Sequence, residues 1–177
     1  MFADYYNTKQ SVNGFGALFL NKDNMNDKFA AFWDATSARF AGNPYVVGYD
    51  PINEPFAANN VKDPTLQIPG VMDHKHLTPT YAKVFDKYIK NDEKAIMWFE
   101  PVTGPDVNGN LNGGTIFPVG FTTPPGGEIG SSHHVLNDHT YCCQLGGDPA
   151  PCATGEPDPA YASECLAWHH KRIDTRA

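Results

Sequence analysis

The sequence predicts an α/β fold with a parallel sheet, and three observations carry that expectation. Helical and strand patterns alternate along the chain. Each short apolar run passes at once into polar, chemistry-bearing residues. The glycine fingerprint of a doubly wound nucleotide-binding sheet is missing. Strands separated by helices pair in parallel, because a crossover brings the chain back in the same direction. Polar residues gathered just past the ends of parallel strands match the place where a (β/α)8 barrel keeps its active site. Gly126-Gly127-Glu128-Ile129-Gly130 follows no strand and opens no helix, so it is expected to be loop.

Each element has its own signal. From Asn26 to Phe40, Phe29, Phe32, Trp33, Thr36 and Phe40 fall at helical spacing, and Gly42-Asn43-Pro44 stops the helix. Tyr45-Val46-Val47-Gly48-Tyr49 is a short β-rich run leading into Asp50-Pro51-Ile52-Asn53-Glu54-Pro55. The stretch from Asn59 to His76 is expected to be loop, broken by Pro64, Pro69 and Gly70. Thr78-Pro79 should open a second helix as its N-cap and first residue, with Tyr81, Val84, Phe85 and Tyr88 as the apolar stripe. Ala95–Phe99 is a second strand, closed by Glu100-Pro101. A Gly/Pro/Asn-rich excursion from Thr103 to Ser132 shows no helical pattern. His134–Asn137 is a third strand that runs into Asp138-His139-Thr140-Tyr141. Asp158-Pro159 should start a third helix carrying Tyr161, Cys165, Leu166 and Trp168.

Composition excludes some partners. A formal net charge of −7 leaves no basic footprint for nucleic acid or for an anionic membrane. Met1-Phe2-Ala3-Asp4-Tyr5-Tyr6 lacks the basic and apolar regions of a signal peptide, and the apolar runs are too short to span a bilayer. Four cysteines (Cys142, Cys143, Cys152 and Cys165) fall in the last quarter of the chain, around a Gly/Pro-rich loop. Disulfides are the favoured reading, with free thiols as the rival. Zinc trails, because neither CxxC pairs nor HxxxH accompany the cysteines. Disulfides would imply a secreted or lumenal protein whose signal is not in this chain. His133-His134 hints at a metal, but neighbouring imidazoles on a strand point to opposite faces, so no metal site is assigned.

The chemistry centres on Asn53-Glu54-Pro55. A carboxylic acid just past a strand end, in a short turn, can project into a barrel mouth. The tripeptide alone would equally suit a turn-capping glutamate, but its context is more specific. Arg39-Phe40 and the run Asn43-Pro44-Tyr45-Val46-Val47-Gly48-Tyr49-Asp50-Pro51-Ile52-Asn53-Glu54-Pro55 resemble the fourth-strand segment of glycoside hydrolase family 5. Trp98-Phe99-Glu100-Pro101 and His139-Thr140-Tyr141-Cys142 are similar to strands five and six of its endoglycoceramidase-like and glucosylceramidase-like members. Thr154-Gly155-Glu156-Pro157 is similar to the stretch after strand six in those proteins, so the resemblance runs from about Asn26 to Trp168.

That resemblance implies a fold and a set of roles. The fold is a partial (β/α)8 barrel, about strands 4–6 with flanking helices, so that residues 1–177 form a single incomplete catalytic domain. A complete barrel takes about 250 residues. Glu54 matches the acid/base and Asn53 the residue that bonds the sugar 2-hydroxyl. His139 and Tyr141 match a strand-six pair, the Tyr touching the nucleophile and ring-oxygen region and the His setting the protonation of the acid/base. Glu54 must be protonated near neutral pH, which calls for burial and a nearby carboxylate. The nucleophile belongs to strand seven and has no counterpart in this chain, so the chain alone is expected to be inactive. Glu100 follows an adjacent strand, on the wrong side for attack, and is assigned to substrate contact or support.

The resemblance further implies a glycolipid or β-glucoside substrate, with contact to a lipid surface through that substrate. No metal or organic cofactor is implied, since two carboxylates run the chemistry. The loops 59–76 and 103–132 would lie at the barrel mouth, and Phe117, Pro118, Val119, Phe121, Pro124 and Pro125 make the second one apolar. A cellulase-like glucanase and a non-catalytic sugar- or lipid-binding relic are the competing readings.

Overall fold

The structure is a computed structural model that describes residues 6, 8–58, 60, 62–103, 119–139 and 162–176. Its helices are α1 (Lys9–Phe19), α2 (Met25–Phe40), α3 (Thr78–Tyr88) and α4 (Ala162–Arg176). Its strands are β1 (Gly48–Tyr49), β2 (Ile96–Phe99) and β3 (His134–Leu136). They form one sheet in the order β1-β2-β3, and both pairings are parallel. The register sets Tyr49 beside Met97 and Phe99 beside Leu136, so the three strand ends fall on one edge. The sheet requires Gly48, because a Cβ there would run into the Ile96 carbonyl.

Strands β2 and β3 and helix α3 follow the sequence pattern closely, whereas of the run Tyr45–Tyr49 only Gly48–Tyr49 is strand, with Tyr45 93% and Val47 67% exposed. Tyr81, Val84 and Tyr88 are fully buried and Phe85 nearly so, against Tyr49, Met97 and Phe99 of the sheet. Phe99 packs edge-on against Phe121, with ring centroids 5.0 Å apart. A 3.6-residue stripe on the helix thus meets alternate residues of the strands, the arrangement expected where a helix covers a sheet.

Helix α2 follows its stripe only in part: Phe29 and Trp33 pack against the core, but Phe32 and Phe40 do not. Phe32 is 60% and Phe40 40% exposed, while Asn26, Ala30 and Ser37 are the buried residues. Small and polar side chains let α2 approach α3 closely and bond to it. Asn26 Nδ2 donates to Thr80 Oγ1 at 2.9 Å, and Asn91 Nδ2 reaches Ser37 Oγ at 3.1 Å. The aromatic spacing predicts a core face, and beside Phe29 and Trp33 the inward face also carries Asn26 and Ser37, each hydrogen-bonded to a partner outside α2.

Two further expectations are corrected. Helix α1 carried no assignment from the sequence; Thr8 caps it, its hydroxyl accepting from the Ser11 amide at 3.3 Å. The segment from Asn59 to His76 is not all loop. A 3₁₀ turn spans Pro64–Gln67, and a wide π-type turn over Asp73–Leu77 runs straight into α3. Thr78 is therefore inside a helix rather than its N-cap, and its hydroxyl donates to the Asp73 carbonyl at 2.9 Å. Gly126 and Gly130 lie in turns with positive φ, as expected of loop. Leu166, expected on an apolar stripe, is 60% exposed on α4. Among the described residues no helix is long and apolar enough to cross a membrane.

Candidate active site

The polar residues beyond the three strands meet at one place. After β1 come Asp50 and Glu54, after β2 Glu100, and after β3 Asn137 and His139. Glu54 sits in a left-handed backbone conformation, φ 45°, which is uncommon for a residue with a Cβ. Such a turn needs fixing from outside, and it is. The Glu54 amide donates to Glu100 Oε2 at 2.7 Å, and the Thr103 amide donates to the Pro55 carbonyl at 2.7 Å.

His139 joins the two glutamates. Its Nδ1 lies 2.9 Å from Glu54 Oε1, and its Nε2 lies 3.3 Å from Glu100 Oε1. Asn137 Nδ2 donates to Glu100 Oε1 at 3.1 Å and to Asp50 Oδ2 at 3.0 Å. The donors aimed at the Glu100 carboxylate come from the turns beyond β1 and β3, so this one side chain ties three strand ends together. Glu100 is 1% exposed, whereas the Glu54 side chain is 15% exposed. The outer carboxyl is the reachable one.

The electrostatics derive from this packing. Burial pushes the Glu100 carboxyl up to about 7; the nearby Asp50 carboxylate adds to the rise, while the Glu54 amide and His139 oppose it. The His139 imidazole is lowered by burial but raised by more through its bond to Glu54 and the charges of Glu100 and Glu54, for a net rise. With a carboxyl at each ring nitrogen, both His139 contacts are hydrogen bonds only if one proton lies on each side of the ring. The 2.9 Å contact thus couples the His139 imidazole directly to the Glu54 carboxyl.

Tyr6 lies near enough to the cluster to feel its charge. Its ring stacks on Phe56 at 5.2 Å, and its hydroxyl is held above its usual pKa by burial and then by Glu54 and Glu100. The sequence pattern singled out none of Tyr6, Asp50 and Asn137. Asp50 lies inside the matched segment, and Asn137 is the residue directly after β3, so strand-end position was the available signal for both. Tyr6 lies far from the motif in sequence and gave none.

The other assigned residues fare differently. Asn53 is exposed beside Glu54. Glu100 is buried, and its two carboxylate oxygens meet the Glu54 amide, Asn137 Nδ2 and His139 Nε2. His134 bonds Ser131 Oγ at 2.8 Å and the Pro125 carbonyl at 2.9 Å, a side chain built into the packing. Tyr141, Cys142, Cys143 and Cys152, and the side chain of Cys165 on α4, lie outside the described residues.

Comparison with known proteins bears on the family and the fold. Residues 6–145 match the model for Cellulase (glycosyl hydrolase family 5). The chain is 40% identical over 139 residues to an endoglycoceramidase of Hydra vulgaris, and 36% identical over 138 residues to one of Cyanea nozakii. Each match covers 78% of this chain and 25% of the relative, so the chain matches about a quarter of the length of these curated relatives. Endo-glycoceramidase II from Rhodococcus sp., solved with a five-membered iminocyclitol, superposes with a TM-score of 0.70 at 19% identity, over 99% of this chain and 36% of that one. The same enzyme in complex with ganglioside GM3 gives 0.65 at 22% identity, over the same shares. The parallel sheet with its strand-end cluster is part of a (β/α)8 barrel, and the chain belongs to the cellulase family, glycosyl hydrolase family 5.

Proposed function

We propose that this chain carries the acid/base half of a retaining β-glycosidase acting on glycosphingolipids, with Glu54 as the acid/base. The observation that carries the reading is the pair Glu54–His139 at 2.9 Å, at the C-terminal edge of parallel strands and backed by buried Glu100. In the first step Glu54 protonates the leaving oxygen while a second carboxylate takes the sugar. In the second step Glu54 draws a proton from water as the glycosyl bond to that carboxylate breaks. Asn53, exposed beside Glu54, is assigned by resemblance to bond the sugar hydroxyl next to the reacting carbon. His139 holds the proton ready, and Tyr141 is assigned beside the nucleophile by resemblance.

Retention needs a nucleophilic carboxylate about 5–5.5 Å from the acid/base. Glu100 is enclosed, so the nucleophile is proposed to lie outside this chain, which by itself is then without turnover. The endoglycoceramidase relatives favour a glycolipid over plain glucan as substrate, reached at a lipid surface. The four cysteines favour a secreted or lumenal setting with disulfides. One assay tests the function: glycosphingolipid and cello-oligosaccharide hydrolysis by this chain and by a protein extended to the length of the relatives. The expected result is release of intact oligosaccharide from ceramide by the extended protein alone. Turnover by the 177-residue chain would put a nucleophile among its own residues.

A further inference from the structure

Helix α3 covers the sheet with an apolar stripe, but one of its side chains reaches past the core into the active-site turns. Tyr81 is fully buried. Its hydroxyl accepts a hydrogen bond from the Glu100 amide at 3.3 Å and stands 3.2 Å from the Glu100 carbonyl oxygen and 3.4 Å from the Ile52 carbonyl oxygen. A phenol has one proton to give, so the two carbonyls share it. A single hydroxyl therefore spans the two turns that present Glu54 and Glu100. Eight residues earlier, Asp73 grips the same loop further out. Its Oδ1 accepts from the Val102 amide at 2.8 Å and its Oδ2 from the Gly120 amide at 3.0 Å.

We propose that Tyr81 is a positioning residue for the acid/base: its hydroxyl fixes the Glu100 backbone, and through Glu100 it sets His139 against Glu54. The proposal rests on the acid/base reading of Glu54. The chain of contacts is short. Tyr81 holds the Glu100 backbone at both its amide and its carbonyl. The Glu100 carboxylate in turn holds the Glu54 amide and faces His139 Nε2. A small displacement at Glu100 lengthens two contacts at once, one to the acid/base Glu54 and one to its partner His139. The ring alone would suffice to fill the core, and several apolar residues could do so. The hydroxyl is what the core does not need.

The test uses Tyr81→Phe, which keeps the ring and deletes the hydroxyl, with Val84→Ala as a control for general loosening of the same helix. The readout is the His139 titration, followed by NMR of the imidazole in this chain and assigned with His139→Gln. It needs no turnover, so it stands apart from any failure of the hydrolysis assay. The expected result is a fall in the His139 pKa of about half a unit or more in Tyr81→Phe, as a positioned carboxylate is lost, and no change in Val84→Ala. An unchanged titration in Tyr81→Phe, or an equal fall in both variants, overturns the proposal. Should Tyr81→Phe fail to fold, hydrogen exchange on the unaltered chain decides. A Glu100 amide protected as strongly as those of β2 supports the bond to Tyr81, and a freely exchanging one overturns it.

Discussion

The seam between α3 and the sheet and the sheet edge just beyond it are built on opposite principles. Between α3 and the strands, the contacts are apolar: Tyr81, Val84, Phe85 and Tyr88 meet Tyr49, Met97 and Phe99. At the strand ends, directly beside that core, Glu54, Glu100, Asp50, Asn137 and His139 form a charged cluster bonded to itself. Burial is nondirectional and tolerates many side chains of the right size, whereas the cluster depends on a few atoms at fixed distances. The core therefore sets where the strand ends lie, and the cluster sets what they do. Damage to the first should appear as lost stability at every pH, and damage to the second as altered proton affinity and lost chemistry.

The largest stability effect belongs to the core. Phe99→Ala removes a ring packed against Phe121 and Tyr81, and should cost about 3–5 kcal/mol, read as a lower urea midpoint at both acidic and alkaline pH. Gly48→Ala comes next. Its Cβ would meet the Ile96 carbonyl oxygen, so the β1–β2 pairing must shift, at about 1–3 kcal/mol. A midpoint equal to that of the unaltered chain would mean that β1 is not held in this register.

The cluster should show itself through pH. Glu100 and His139 both bind protons more tightly in the folded state than in an unfolded chain, where glutamate carboxyls titrate near about 4.3 and imidazoles near about 6.5. For a raised pKa the contribution to stability is complete below the unfolded value and is lost as pH rises through the folded one. Stability should thus fall between about pH 4.5 and 7.5, by on the order of 1–2 kcal/mol once solvent screening is allowed for. Glu100→Gln should flatten that slope. A slope undiminished by the substitution would assign the titration to groups other than Glu100. The smallest effect is expected on the surface, where Lys83 and Asp27 lie 2.6 Å apart but are well exposed; Lys83→Met should leave the midpoint unchanged within error.

The same contrast explains what was legible in the sequence. The strands β2 and β3 and the stripe of α3 were readable because apolar periodicity reports burial directly. Glu54, Glu100 and His139 were readable as residues just past strands, and the structure brings all three together. The buried seam of α2 was not readable, since Asn26 and Ser37 are inside because of specific partners on α3 and beyond it, which no local pattern encodes. The π-type turn before α3 was missed for a similar reason. Asp73, expected in a loop, is buried on account of the Val102 and Gly120 amides, both distant in sequence. Tyr6 shows the limit most plainly: its neighbours Phe56 and Glu54 are near it only in space.

Everything proposed for the cluster turns on Glu54 as the acid/base. The direct measurement is made on the protein extended to the length of its relatives, comparing Glu54→Gln with the unaltered enzyme on two substrates. One carries a sugar-alcohol or ceramide leaving group, and the other an activated aryl group that hardly needs protonation. Glu54→Gln should lower turnover of the first by roughly 10²–10⁴-fold or more, the range expected for loss of a general acid. The first step on the aryl substrate should be nearly spared, and azide should restore the second by replacing base-activated water. An equal loss on both substrates, with no effect of azide, would contradict the assignment and leave Glu54 a structural residue.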